Sequence, residues 1–223
     1  MIRVHIICEG QTEENFVHEL LVEPFISKNI HLIPSLIGAA GHKGGNINFD
    51  RLMTDIRHRL LGDKAAYCTT FLDFYGLPSN FPGKKEAVVC AGLDEKFTCI
   101  CNSVNKKVEN LIGDNAMRFI PYVQMHEFEG LLFSNPKEFA IGIGRKELEV
   151  KLQKIRNIFT TPEDINDNSS TAPSKRINNL MQDYEKPLHG ILAALEIGLD
   201  SIRQECRHFN NWLNQLESLD FNN

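Results

Sequence analysis

The apolar positions of this chain alternate between short solid runs and longer stretches of helical spacing. Residues 2–8 (IRVHIIC) read as a buried strand. Behind it, Phe16, Val17, Leu20 and Leu21 recur at helical spacing. Thr12 is the expected N-cap of that helix, with Glu13 and Glu14 in its first turn, where negative charge meets the helix dipole. Pro24 should kink or split the helix, because proline has no N–H to give to the ladder. Residues 31–37 (HLIPSLI) suit a second strand, with Pro34 favouring an edge or a bulge. A glycine-rich loop (GAAGHKGGN) follows, then a helix from Phe49 to Leu61 and a strand over 67–72 (YCTTFL) ending at Asp73. After FYGLPSNFPG, a long helix is expected from Lys85 to Leu111, broken at Gly92, and then a strand over 118–124 (RFIPYVQ). Beyond residue 136 the pattern is helical, with one polar interruption, TTPEDINDNSSTAPSKR.

Repeated alternation of strand and helix predicts an α/β fold of the Rossmann-like kind. Its central sheet is mostly parallel, of about four strands, and flanked by helices. Residues 1–135 form that core, and 136–223 a helical extension packed on it. In the extension, Phe209, Trp212, Leu213 and Leu216 share one helical face and read as a core stripe.

Composition narrows the class. A hydrophobic share of 42% in 223 residues supports a sizeable core. No apolar run is long enough to span a bilayer, and the N-terminus reads as a first strand rather than a signal peptide. The six cysteines form no CxxC pair and mostly lie in apolar stretches, as expected for reduced thiols in a cytoplasmic protein. A formal net charge of −5 argues against a broadly basic nucleic-acid coat, though not against a local basic patch.

The charge matters most where it falls. Glu9 ends the first strand, Asp73 the third, and Glu127 and Glu129 follow the fourth. In a parallel sheet all these ends lie on one edge, where ligands bind. Carboxylates brought together repel and raise one another's pKa unless a cation neutralises them, and Mg²⁺ is a hard ion suited to such ligands. The alternative is that the acids cap helices. Glu127 and Glu129 are two apart, so on a helix they diverge by about 200° and only one faces the site, Glu127 being preferred. On an extended segment both could face it. His126 is either a general base or a structural histidine.

The stretches VHIICEGQTEENFV, TFLDFYGLP, MHEFEGLLFSNP and TAPSKRI occur in that order. Together they resemble a bacterial Toprim-like family of unassigned function (DUF4276-like), related to the Toprim domains of OLD-type nucleases. The resemblance covers most of the chain. It implies a Toprim-like fold and Mg²⁺- (or Mn²⁺-) dependent phosphodiester hydrolysis of nucleic acid, in a bacterial system of defence against phage or foreign DNA. By it Glu9 corresponds to the Toprim glutamate and Asp73 to the first acid of Asp-x-Asp. Tyr75 stands where the second aspartate belongs. The ligand set implied is then Glu9 and Asp73, completed by Glu127 or Glu129, with all four acids as candidate catalytic residues. An AAA-type ATPase is the implied partner. The alternative is a non-catalytic Toprim-like adaptor that binds such an ATPase or nucleic acid.

Phosphate-binding candidates are Ser174, Lys175 and Arg176 at a helix start, where N–H groups and basic side chains suit an anion. Lys186 is a further candidate, although an exposed lysine before a proline-started helix is the simpler expectation. His42 and Lys43 could reach phosphate from the glycine-rich loop, which lacks a P-loop signature. Arg207 and His208 could lie near the Ser174 clamp.

Overall fold

The structure is a computed structural model and describes residues 1–38, 44–45, 47–166, 168 and 170–219. His42 and Lys43 fall outside these residues.

The solid apolar runs become strands. β1 (Ile2–Cys8) is followed by α1 (Gln11–Phe16), a π-helical turn at Val17–Leu21, and α2 (Val22–Ile26). Pro24 does not split this helix; the turn before it is wound wider instead, which accommodates a residue without an N–H. The N-cap is Gly10 rather than Thr12. The Glu13 carboxylate reaches back to accept the Gly10 N–H at 2.9 Å, so the helix starts before Thr12, which is buried inside it.

β2 (Ile30–Leu36) leads through the glycine loop to α3 (Phe49–Gly62), and then β3 (Ala66–Asp73) is buried along its whole length. α4 (Lys84–Val88) and α5 (Leu93–Ile112) are separated at Gly92, as the sequence pattern predicts. The strand expected over 118–124 is divided by Pro121 into β4 (Phe119–Ile120) and β5 (Val123–Gln124). Threonines of β3 serve the interrupted ladder. Thr69 Oγ1 donates to the Ile120 carbonyl, and Thr70 Oγ1 accepts from the Tyr122 N–H at 3.0 Å.

The sheet is parallel throughout, in the order β2-β1-β3-β4, with β5 also paired to β3. Pro34 lies in the edge strand β2, opposite Ile6. The C-terminal half is helical: α6 (Pro136–Gly142), α7 (Glu149–Arg156), α8 (Pro173–Leu180), α9 (Lys186–Ile197), α10 (Leu199–Glu205) and α11 (Arg207–Glu217). No helix among the described residues is long and apolar enough to cross a membrane.

Strand alternation sorts the core into two layers. Val4, Ile6, Cys8 and Phe71 face one way and pack with Phe16, Ile191, Phe209 and Trp212. Ile7, Cys68 and Leu72 face the other, against α3 and α5. The C-terminal helices therefore share a core with the N-terminal helix on one face of the sheet. Trp212 anchors α11 to the sheet within the first layer: its ring stacks on Tyr122 at 4.4 Å and its indole N–H donates to Thr69 Oγ1 at 2.9 Å. Burying side chains of this size contributes roughly 1.5–3 kcal/mol each.

Candidate functional site

Glu9 and Asp73 reach the same rim because β1 and β3 are neighbours in parallel register, with Cys8 beside Phe71. The Glu9 N–H donates to the Phe71 carbonyl at 3.1 Å, and the Asp73 N–H donates to Glu9 Oε2 at 2.9 Å. Gly76 leaves room for the other oxygen: a Cβ at that position would lie 2.8 Å from Glu9 Oε1. The Gly45 N–H donates to the Glu9 carbonyl at 3.1 Å.

Alternation along β3 puts Asp73 on the face of Phe71, beneath the C-terminal helices. There α9 approaches α1 closely, at Gly190, where a Cβ would come within 3.2–3.6 Å of Tyr184, Phe128 and Thr12. This approach carries Lys186, the first residue of α9, into the acids. Its ammonium lies 3.1 Å from Asp73 Oδ2, 3.3 Å from Glu129 Oε2 and 3.4 Å from Glu13 Oε1. The Lys186 side chain keeps 35% of its exposure, but it is not the unpartnered surface lysine of the simpler expectation, because the packing of α9 supplies three acids to its ammonium.

Glu13, Asp73 and Glu129 are buried. Glu13 Oε1, Asp73 Oδ1 and both Glu129 oxygens accept no hydrogen bond from a neighbouring residue, and the Tyr184 hydroxyl beside them is also unpartnered. Burial pushes Glu9 up to about 7, against the Asp73 N–H, and the nearby Glu13 charge adds to the rise. Burial also raises Asp73 and Glu129, with Lys186 opposing it in both cases. For Lys186, burial pulls downward, but Asp73, Glu129 and Glu13 outweigh it and hold the ammonium well above its ordinary range.

The two glutamates after the fourth strand separate in role. His126 has φ 67° and Glu127 is extended, so the 3₁₀ turn Phe128–Ser134 begins with Glu129 aimed inward. Glu127 Oε2 instead accepts the Ser174 N–H at 2.8 Å, at the start of α8. The amide expected to meet phosphate there is thus bonded to a carboxylate of the chain. Lys175 is exposed, and Arg176 bonds the Thr171 carbonyl at 2.7 Å and Asn166 at 3.3 Å. His126 is buried, its ring edge-on to Phe74 at 6.3 Å. Arg207 and His208 lie beside Asp94, in a cleft of about 610 Å³ that Glu163 also lines.

The structure therefore brings together Glu9, Glu13, Asp73, Glu129 and Lys186. Tyr184 and Gly76 were not singled out from the sequence. Tyr184 sits two residues before Lys186, but nothing in its pattern signals a buried hydroxyl. Among the described residues, no three histidine, cysteine or carboxylate side chains form a ready-made metal cage.

A family model described as "Domain of unknown function (DUF4276)" matches residues 8–217. The chain belongs to the DUF4276 family. No curated protein and no solved structure matches it. The DUF4276 match starts one residue before Glu9 and ends beyond α9, so every member of the acid cluster lies inside it.

Proposed function

We propose that this DUF4276 chain is a Toprim-like, Mg²⁺- or Mn²⁺-dependent nuclease, cytoplasmic and acting in bacterial defence against phage or foreign DNA. The observation that carries the reading is the charge imbalance at the rim. Glu9 and Glu13 at the β1–α1 junction meet Asp73 and Glu129 from two other segments, and Lys186 puts an ammonium within ion-pair distance of Glu13, Asp73 and Glu129. Buried carboxylate oxygens without donors are costly, and a hard divalent cation offsets that cost. The donor set fits such an ion in kind: all oxygen, with excess negative charge. Glu9, Asp73 and Glu129 would hold it after turning from their present positions, in which they form no cage. A cation bound there polarises a phosphodiester and stabilises negative charge on the leaving oxygen.

The chain's own residues would do the rest. Glu9, raised to about 7 by burial, would instead exchange a proton at Oε1, the oxygen not bonded to the Asp73 amide, if Asp73 and Glu129 alone held the ion. Lys186 would hold the carboxylates in place and counter the charge of substrate phosphate. Glu127 would fix the segment through the Ser174 amide. The six free cysteines, four of them buried, accord with a reducing compartment.

The test is cleavage of plasmid DNA or RNA in Mg²⁺ or Mn²⁺ by purified protein, with Glu9→Ala as control. Loss of cleavage in that variant supports the reading; cleavage that persists in it assigns the activity to another site or to contamination. A non-catalytic adaptor for an AAA-type ATPase or nucleic acid is the second reading. It is favoured by Tyr75 standing in the second acid position and by Lys186 already neutralising part of the cluster. No cleavage with either metal, even with the ATPase present, would establish it over the first.

A further inference from the structure

The segment after Asp73 carries groups that the acid cluster does not use. Phe74 is fully buried, and three basic side chains surround its ring. Lys84 Nζ stands 3.5 Å and Lys96 Nζ 5.5 Å from the ring centroid, and the His126 ring meets it edge-on at 6.3 Å. Lys84 also donates to the Phe74 carbonyl. The next residue, Tyr75, is 40% exposed although it follows a buried strand. Its backbone is held: Phe74 N–H donates to the Gln124 carbonyl and Tyr75 N–H to the His126 carbonyl, each at 2.9 Å. Gly76 then lies against Glu9. An exposed tyrosine on a held backbone thus stands between the residue that the lysines flank, Phe74, and the glycine that lies against Glu9, Gly76.

We propose that Tyr75 is a stacking platform for an unpaired base, and that the Lys84–Lys96 collar around Phe74 takes the adjoining phosphate, so that the strand presented to the acid cluster is single-stranded. The inference deepens the nuclease reading and rests on it for the cutting step alone. Base faces are open to an aromatic ring only when a strand is unstacked, and stacking of this kind tolerates any sequence. Lysines beside it supply the backbone attraction that the chain's overall negative charge does not.

The experiment is fluorescence anisotropy of full-length protein with a labelled 20-nucleotide single strand and with the matching duplex. Ca²⁺ replaces Mg²⁺, and salt is varied. Tyr75→Ala should weaken single-strand binding about tenfold, while Tyr75→Phe stays within about twofold. Lys96→Gln should flatten the salt dependence by about one released counterion, while Lys106→Gln, in the far half of α5, should not. Equal binding by Tyr75→Ala and wild type, or preference for duplex, overturns the proposal. Melting curves of each variant separate lost binding from lost folding, and Tyr75→Phe and Lys96→Gln keep the test open should Tyr75→Ala melt early. Tyr75-dependent binding without cleavage in Mg²⁺ or Mn²⁺ defeats the nuclease reading and leaves the platform standing. Glu9-dependent cleavage with unaltered Tyr75→Ala binding does the reverse.

Discussion

Glu129 and Glu163 are both glutamates with almost no solvent exposure, 0% and 1%, yet their surroundings differ in kind. Glu163 accepts the His208 and Phe209 N–H groups, each at 2.9 Å, at the N-terminus of α11. Its charge meets amides that the helix would otherwise leave unpaired, and a favourable helix dipole. Glu129 has Lys186 at 3.3 Å and no hydrogen bond from a neighbour to either oxygen. Burial raises both, Glu163 to about 7. One carboxylate has been absorbed into a helix cap; the other is left with electrostatic capacity to spare. Burial of an acid is therefore not itself a sign of function. The informative quantity is how many of its oxygens the protein leaves without a donor.

The sharpest way to break this comparison is catalytic. Glu129→Gln should lower metal-dependent cleavage by roughly 100-fold or more, on the scale seen when one group stabilising transition-state charge is removed. Glu163→Gln should leave cleavage within about twofold. Equal losses in the two variants would place both acids in one machinery and end the distinction.

Stability should order the pair the other way. Glu163→Ala leaves two buried amides at the start of α11 unsatisfied and should cost about 1–3 kcal/mol. For a chain of this length that is a fall in Tm of about 2–4 °C per kcal/mol. Glu129→Gln replaces a desolvated charge by a neutral group of the same shape, while Asp73 and Glu13 still neutralise Lys186. Its Tm at pH 7.5 should be unchanged or slightly higher. A large loss there would mean that the Glu129–Lys186 contact is structural.

The finest discrimination is by pH and metal. Glu9 and Glu163 are raised from 4.5 to about 7 in the fold. The native state therefore binds more protons than the unfolded chain between those values, and stability falls as pH rises. Their contribution is fully present below about 4.5 and lost through about 7. Thermal melts from pH 5 to 8 should show this decline, with Glu163→Gln removing part of it. Mg²⁺ should restore Tm at pH 8 in wild type and Glu163→Gln, but not in Glu129→Gln, and should have little effect at pH 5. Restoration in all three would mean that the ion binds elsewhere.

Much of the fold was legible from local pattern. The run IRVHIIC is a strand because its apolar positions alternate with Arg3 and His5 and then continue through Ile6, Ile7 and Cys8, and Pro34 marks an edge because it cannot donate. Gly92 separates two helices as its place in the pattern suggested. Pro121 was harder: its side of the ladder survives through Thr69 and Thr70, whose side-chain bonds no pattern announces. At the site, the meeting of Glu9 and Asp73 followed from parallel topology. The inward turn of Glu129 did not, because it depends on His126 adopting a positive φ just upstream.

The sequence by itself determined the strand ends, and with them the rim to which the acids belong, because a two-residue period and a run length are local properties of the chain. It also determined the stripe of α11 that carries Phe209 and Trp212 into the core. Only the tertiary structure decided that Lys186 meets Asp73, 113 residues away, and that Glu127 turns from the cluster to a helix amide. A charge's partner is fixed by how closely two helices pack, here at Gly190, and that distance is a property of the assembled core rather than of any segment.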